Sequence, residues 1–394
     1  MSKLWQKKDE PLDPEVEKYT VGNDYILDLE LLPYDLMASK AHAKMLEKMG
    51  YASEGELKQL ITGLDEISQM HTQGKFEIKP EDEDCHTAIE NYLTNRFGDV
   101  GKKIHTARSR NDQSMTAIRL LMMDRLKAVE KQITELQKQL ESFAIKNKGK
   151  AMPGYTHMRK AMPSSVDMLF FAYRDMLGDD KLMLKSVLSL INKNPLGSAA
   201  GYGVPLKIDR EMTAKELGFA STQDNPIHCA NSRGKYESIV VFSLNCIMQS
   251  LNKMASDLIL FTMPEFGFFT LPKNVTTGSS IMPQKQNPDV LELVRANSHV
   301  VNGHLATING IIPNLPSGYN RDFQLTKEPL LKSFKITMDS LKVMSIVISG
   351  LGTQDSRLKT ALTPELYATE KTYKLVEKGM PFREAYQKVA QEIE

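Results

Sequence analysis

Cysteine is almost absent from this chain. Cys85, Cys229 and Cys246 are odd in number, far apart and show no CxxC spacing. That argues against a disulfide framework or a structural zinc site and points to a reducing cytoplasm. Long apolar runs are missing as well. No stretch approaches the roughly 18 uncharged apolar residues of a membrane span, and the opening MSKLWQKKDEPLDPEVEKY has no apolar core of signal-peptide length. Neither sign of charge dominates. The 50 basic and 49 acidic residues leave a formal charge of +1, too little to hold a polyanion, so a dedicated nucleic-acid binder is not expected. Strand signals are scarce, apart from short pieces that fit small hairpins. No fixed-period repeat or low-complexity segment occurs.

What the chain does have is heptad spacing. Met122, Leu126, Val129, Ile133, Leu136, Leu140 and Phe143 step by four and three, and no Gly or Pro interrupts 114–146. Val240, Leu244, Ile247, Leu251, Met254, Leu258 and Phe261 repeat the steps. So do Leu169, Tyr173, Met176, Asp180, Met183, Val187 and Leu190, with one acid in the seam. Phe334, Met338, Leu341, Ser345 and Ile348 form a weaker fourth case. This is the pattern of long helices packed at shallow angles. A helix of about 30 residues is roughly 45 Å long, more than a compact unit of this size needs. The expected fold is therefore all-α, a long-helix bundle that buries part of its length against other copies in a homo-oligomer. Three domains are expected: a mostly helical 1–107, a central long-helix bundle over 108–352, and a short helical 353–394. Within the first, KAHAKMLEKMG and EGELKQLITGLDEISQMH read as two helices, the first ending at Gly50.

Polar segments between the rods are the places for chemistry: DEDCHTAIE (82–90), HTARSRNDQ (105–113), MPGYTHMRKAMPSS (152–165), NPLGSAAGYG (194–203), TGSSIMPQKQNPD (277–289) and LPSGYNRDFQLTKE (315–328). Loops on a rigid scaffold concentrate function, and helix N-termini after them offer free N–H groups to anions. Ser109, Arg110 and Asn111 fit either a plain N-cap or a carboxylate clamp with Arg110 as the fork; on spacing alone the cap is the simpler reading. His157 needs an acidic orienter to act as an acid or base, and Glu292 is a candidate. In the 277–289 loop Gly278 would allow unusual φ, Ser279 and Ser280 offer hydroxyls, and Lys285 a positive charge. Neither G-x-S-x-G nor a Walker pattern is present. Tyr319, Arg321, Gln324 and Lys327, with Arg110 and Lys285, suggest a site for a polyanionic small molecule.

Together these segments resemble one family. GSSIMPQKQNPD is similar to the signature loop of the fumarase/aspartase superfamily. HTARSRNDQ, PGYTH and DEDCHTAIE resemble the matching segments of its argininosuccinate lyase branch, in the same order from about Leu4 to the end of the chain. The resemblance implies an all-α homotetramer whose central bundle is shared, with sites assembled from loops of three subunits. It implies reversible cleavage of argininosuccinate to arginine and fumarate, the last step of arginine biosynthesis, with no metal or organic cofactor. By the same resemblance Ser279 would abstract the Cβ proton, and His157, oriented by Glu292, would donate at the leaving nitrogen. Lys285 would stabilise the doubly charged aci-carboxylate intermediate, and Thr156, counted with this catalytic group, would contact substrate. Asp28, His86, Ser109, Arg110, Asn111, Tyr319, Gln324 and Lys327 would contact substrate, Asp28 at the arginine end.

The chain also departs from the family pattern. It opens with LWQKKDE in place of a Trp-Gly-Gly-Arg-like stretch, and Asp24 stands where a serine is common. Ile89, Ala107 and Gln286 replace a frequent Asn, Gly and Lys. It ends at Glu394 where relatives continue, so an incomplete C-terminal domain is expected. Three other readings stay open: another amino- or hydroxy-succinyl substrate, an inactive relative of the kind that delta crystallin represents in lenses, and a helical scaffold without a small-molecule site.

Overall fold

The computed structural model describes residues 12–393. The LWQKKDE opening and Glu394 lie outside them. Helices dominate: α1 (Asp24–Lys48), α2 (Glu54–Thr72), α3 (Cys85–Phe97), α4 (Arg110–Lys146), α5 (Val166–Ile191), α6 (Lys235–Thr262), α7 (Asp289–Ile311) and α8 (Lys327–Gly350), with shorter pieces between and after them. The 37 residues of α4 make it about 55 Å long. The all-α expectation holds, and the strands among the described residues form small two-stranded sheets only. No described helix is long and apolar enough to cross a membrane.

Contacts divide the chain into two compact units. One comprises the chain to Ala128, Leu184–Phe242 and Gly303–Phe334; the other comprises Val129–Met183, Ser243–Asn302 and the chain from Lys335 onward. In the first, α1, α2 and α3 pack Leu32, Leu36, Leu60, Leu64, Ile67, Ile89 and Leu93 into one core. Here the sequence was only partly legible. The helix expected over KAHAKMLEKMG begins at Asp24, running through Pro33. At its other end Gly50 has φ 80°, the left-handed turn expected of a helix stop. The second unit has an aromatic core. Phe143 and Phe170 lie 4.3 Å apart between ring centroids, and Phe269 stands edge-on to Phe170 at 5.5 Å. Rings of this size each remove roughly 150–250 Å² from water.

The heptad lines of α4 and α6 are buried throughout. The line expected on α5 is displaced. Phe170, Tyr173, Leu177, Asp180, Leu184, Val187 and Ile191 face inward, while Leu190 is exposed. Leu169, Met176 and Met183 are half-buried. The helix carries two neighbouring apolar stripes, and spacing alone cannot choose between them. The acid in the seam, Asp180, is buried and accepts a 2.7 Å bond from Ser250 Oγ; burial raises its pKa.

Two of the polar segments between the rods are not loops. DEDCHTAIE runs into α3, whose first residue is Cys85; Asp84 caps it by accepting from Thr87 N at 2.9 Å. MPGYTHMRKAMPSS is a hairpin, β1 (Ala151–Thr156) against β2 (Arg159–Ser165), closed by the two residues His157 and Met158. Both have positive φ, 51° and 58°, the backbone that a tight I′ turn demands and that bulky side chains resist.

Candidate active site

The first unit holds a polar cavity of about 150 Å³. Its acids come from two places. Asp24 and Asp28, four apart, share one face of the start of α1. Glu83 and Asp84 sit at the N-terminus of α3. Lys327, the first residue of α8, is buried between the α1 acids, 2.5 Å from Asp28 Oδ1 and 3.0 Å from Asp24 Oδ1. Burial alone would lower the lysine pKa, but Asp28 and then Asp24 outweigh it and raise it. Burial pushes the Asp24 carboxyl up, with Lys327 acting against it.

His86, on α3, rests on Asp35 of α1, with Nδ1 2.5 Å from Oδ2. Both are buried. Burial would lower the histidine pKa, but Asp35 raises it on balance. Asp35 in turn is held down to about 2: burial opposes this, and His86 followed by Arg108 overcomes it. Asp28, Cys85 and His86 bring an oxygen, a sulfur and a nitrogen within 4.8 Å of one another. These donors are spent on other partners. Asp28 accepts from Lys327 and from Cys85 N, His86 is bonded to Asp35, and burial followed by the Asp28 charge keeps the thiol protonated.

Arg110 opens α4, and Ser109 caps it by accepting from Asn111 N at 3.2 Å. The Arg110 fork is directed inward. Its Nε donates to Asp84 Oδ2 at 2.8 Å and its Nη2 to Glu83 at 3.0 Å and again to Asp84. Burial opposes its charge and Asp84 more than compensates, which raises its pKa. So the carboxylates that Arg110 clamps here are the protein's own. Gln324 Nε2 donates to the backbone oxygens of Thr20 and Val21, both at 3.1 Å, closing the helix Pro14–Val21 onto the cavity rim. Tyr319 and Asn111 also line the cavity; Ser109 does not. Ser114 and Arg233 line it too, unmarked by any motif.

Thr156, His157, Ser279, Lys285 and Glu292 all belong to the second unit. Thr156, His157, Lys285 and Glu292 are exposed and Ser279 is half-buried. The side chains of His157 and Glu292 do not meet in a hydrogen bond or ion pair among the described residues. The 277–289 loop is pinched at its base, where Thr277 N donates to Asn287 O at 3.1 Å and Asn287 N to Thr277 O at 2.8 Å. Inside the pinch Ser279 Oγ accepts from Met282 N at 3.2 Å. Gly278 does not use the freedom expected of it. Its φ is not positive, and a Cβ there would meet nothing within 4 Å, because the paired base, rather than a special glycine conformation, sets the loop's path.

Residues 8–303 match the family described as "Lyase". The chain is 48% identical over 389 residues to an argininosuccinate lyase of Thermotoga neapolitana, covering 99% of this chain and 98% of that one. It is 41% identical to one of Phocaeicola vulgatus, covering 100% of this chain and 88% of that one. Among solved structures, an EDDS lyase in complex with formate has a TM-score of 0.82 at 24% identity, over 97% of this chain and 76% of that chain. A class II fumarase of Schistosoma mansoni has a TM-score of 0.76 at 17% identity, over 95% of this chain and 91% of that chain; both likenesses are of fold. Near-complete coverage of both partners at this identity settles the matter: the chain belongs to the argininosuccinate lyase family of the fumarase/aspartase superfamily.

Proposed function

We propose that this lyase reversibly cleaves argininosuccinate to arginine and fumarate in the cytoplasm, as the last step of arginine biosynthesis. The observation that carries the reading is the 48% identity to a named argininosuccinate lyase over nearly all of both chains. The presence of Ser279, His157 and Lys285 is consistent with it. The three free thiols fit a reducing compartment.

In this reading Ser279 removes the Cβ proton. The electrons pass into the adjacent carboxyl, which takes on a second negative charge, and the C–N bond then breaks as His157, with Thr156 beside it and Glu292 orienting it, protonates the leaving guanidino nitrogen. Serine is a poor base unless nearby positive charge lowers the cost of its alkoxide; Lys285 serves that need and stabilises the dianionic carboxyl as well. The cavity lined by Asp28, His86, Arg110, Asn111, Tyr319, Gln324 and Lys327 binds the substrate, with Ser109 supporting Asn111.

Acid–base groups standing in water cannot be preorganised, and in a single chain Thr156, His157, Lys285 and Glu292 are exposed. Apolar side chains on the rods are exposed as well: Met168 and Leu182 on α5, Leu293 and Val300 on α7, and Ile346 on α8. Both observations support a homotetramer in which loops from different copies complete each site, closing the 277–289 loop over substrate and excluding water.

The direct assay follows fumarate absorbance with argininosuccinate beside adenylosuccinate, aspartate and malate. Release from argininosuccinate alone is expected; release from another compound alone replaces the substrate, and no release sinks the enzyme reading. Ser279→Ala is expected to lose at least about 10²-fold in turnover while still binding substrate. Refolding inactive Ser279→Ala with inactive Lys327→Gln tests site sharing. If the two residues serve one site from different copies, about a quarter of sites in an even mixture carry both intact residues; no recovery contradicts sharing.

A further inference from the structure

Arg233 has no role in the reading so far. It lies between the helix Pro226–Asn231 and α6, is 7% exposed and lines the cavity. Its backbone is held in place. Gly234 after it has φ 74°, and a Cβ there would stand 2.8 Å from Ile312 Cγ1 and 3.2 Å from the Phe323 ring. Its guanidinium carbon sits 5.0 Å from the centre of the Tyr319 ring, a stacking that fixes the plane of the fork. The fork acts on the buried Glu237 carboxyl at the start of α6, yet its hydrogen bonds are not all used. Nη2 donates to Ser114 Oγ at 3.3 Å, and the buried Nε has no partner among the described residues. Arg110 is the opposite case, with Nε and Nη2 both committed to Asp84 and Glu83. Of the three guanidinium groups lining the cavity, Arg110 is spent on Asp84 and Glu83, Arg321 donates to Thr20 O at 2.8 Å, and Arg233 keeps an Nε that has no partner among the described residues.

We infer that Arg233 is a specificity-determining residue which binds the α-carboxylate of the substrate's amino-acid end. This rests on the proposed argininosuccinate reading. The cavity carries both signs of charge, Arg233 beside Tyr319 and the carboxylates of Asp24 and Asp28 around Lys327. A zwitterionic α-amino acid offers an ammonium to the acids and a carboxylate to the fork. The succinyl end has two carboxylates and no ammonium, so Asp24 and Asp28 would repel it. A planar fork takes a carboxylate with two parallel bonds, which an ammonium cannot reproduce.

The test measures binding of arginine, of agmatine (arginine without its carboxylate) and of fumarate to the full-length wild type, Arg233→Gln and Arg233→Lys by calorimetry, with steady-state kinetics on argininosuccinate. Wild type is expected to prefer arginine over agmatine by roughly 10- to 100-fold, the scale of a charge-assisted bond. Arg233→Gln should abolish that preference and leave fumarate affinity unchanged, and Arg233→Lys should keep part of it. KM for argininosuccinate should rise more than kcat falls. Should Arg233→Gln fail to fold by circular dichroism, full retention of the preference in Arg233→Lys overturns the inference and a loss of at least about 5-fold supports it. An unchanged preference in folded Arg233→Gln, or a selective loss of fumarate, also overturns it. A wild type that does not cleave argininosuccinate defeats the functional reading itself; one that cleaves it but keeps its arginine preference in Arg233→Gln defeats only this inference.

Discussion

Asp35→Asn would test whether the buried charges beneath the cavity act as one device. Asp35 is fully buried, with Oδ2 2.5 Å from His86 Nδ1 and Oδ1 3.6 Å from Arg108 Nη2. The drop of its pKa from 3.8 to about 2 corresponds to roughly 2 kcal/mol of native-state stabilisation at neutral pH, at about 1.4 kcal/mol per decade. The asparagine also removes the strongest counter-charge of His86 and of Arg108, leaving Asp84 and Asp28 to act on the one and Asp112 and Glu90 on the other, and breaking a buried pair from one side costs about 3–5 kcal/mol. The two figures describe overlapping effects, so the expected loss is roughly 2–4 kcal/mol. Its pH dependence has a definite sign. Asp35, depressed, stabilises the fold fully above about 4 and loses that contribution as pH falls through about 2. His86, raised above 6.5, contributes fully below 6.5 and loses its share as pH rises through its folded value. The penalty of Asp35→Asn should therefore be largest near pH 6 and shrink in alkaline buffer. Urea unfolding followed by circular dichroism at both pH values, at fixed protein concentration, reads it directly. A penalty below about 0.5 kcal/mol, or one that is equal at both pH values, refutes the reasoning.

Ser53 and Glu56 form a reciprocal capping box at the start of α2, with Ser53 N donating to Glu56 at 2.8 Å and Glu56 N to Ser53 Oγ at 3.3 Å; Ser53→Ala should lose about 1 kcal/mol in urea unfolding. Gly101 lies against the backbone of α3, and a Cβ there would fall 2.2 Å from Leu93 O; Gly101→Ala should cost about 3 kcal/mol, visible as a lower Tm. Met158 has φ 58° at the tip of the β1–β2 hairpin; Met158→Gly should stabilise the protein by roughly 0.5–1 kcal/mol in the same unfolding assay, and a loss would mean the turn is not strained.

Long-range burial and short-range spacing were not equally legible in the sequence. The seams of α4 and α6 could be read residue by residue because each rod has one dominant apolar stripe, and a period of four and three names it. On α5 two stripes compete, and which one turns inward depends on Phe143 and Phe269 packing against Phe170, residues that the α5 sequence does not contain. The start of α1 was hidden by Pro33, which local rules treat as a break although the helix continues through it. The α3 boundary was available: an Asp directly before CHTAIENYL is an ordinary capping signal.

The cavity divides in the same way. Its polar residues sit at helix ends, where sequence rules look for them, but their pairing spans the chain: Lys327 meets Asp28 across 299 positions. Arg110 and Arg233 make the consequence plain. Each is an arginine near a helix start, and only Arg110 stands in a recognisable motif. A guanidinium's role depends on which carboxylates already hold it. Glu83 and Asp84 bond Arg110 directly, whereas Arg233, set beside a glycine in an unremarkable NSRGK, is stacked on Tyr319, acts on the Glu237 carboxyl through its charge, and has an Nε without a partner among the described residues. A motif can mark where charge is concentrated. Only the three-dimensional account of partners shows which charge remains for a ligand, and that is why the residue with most left to offer is the one that no spacing rule picked out.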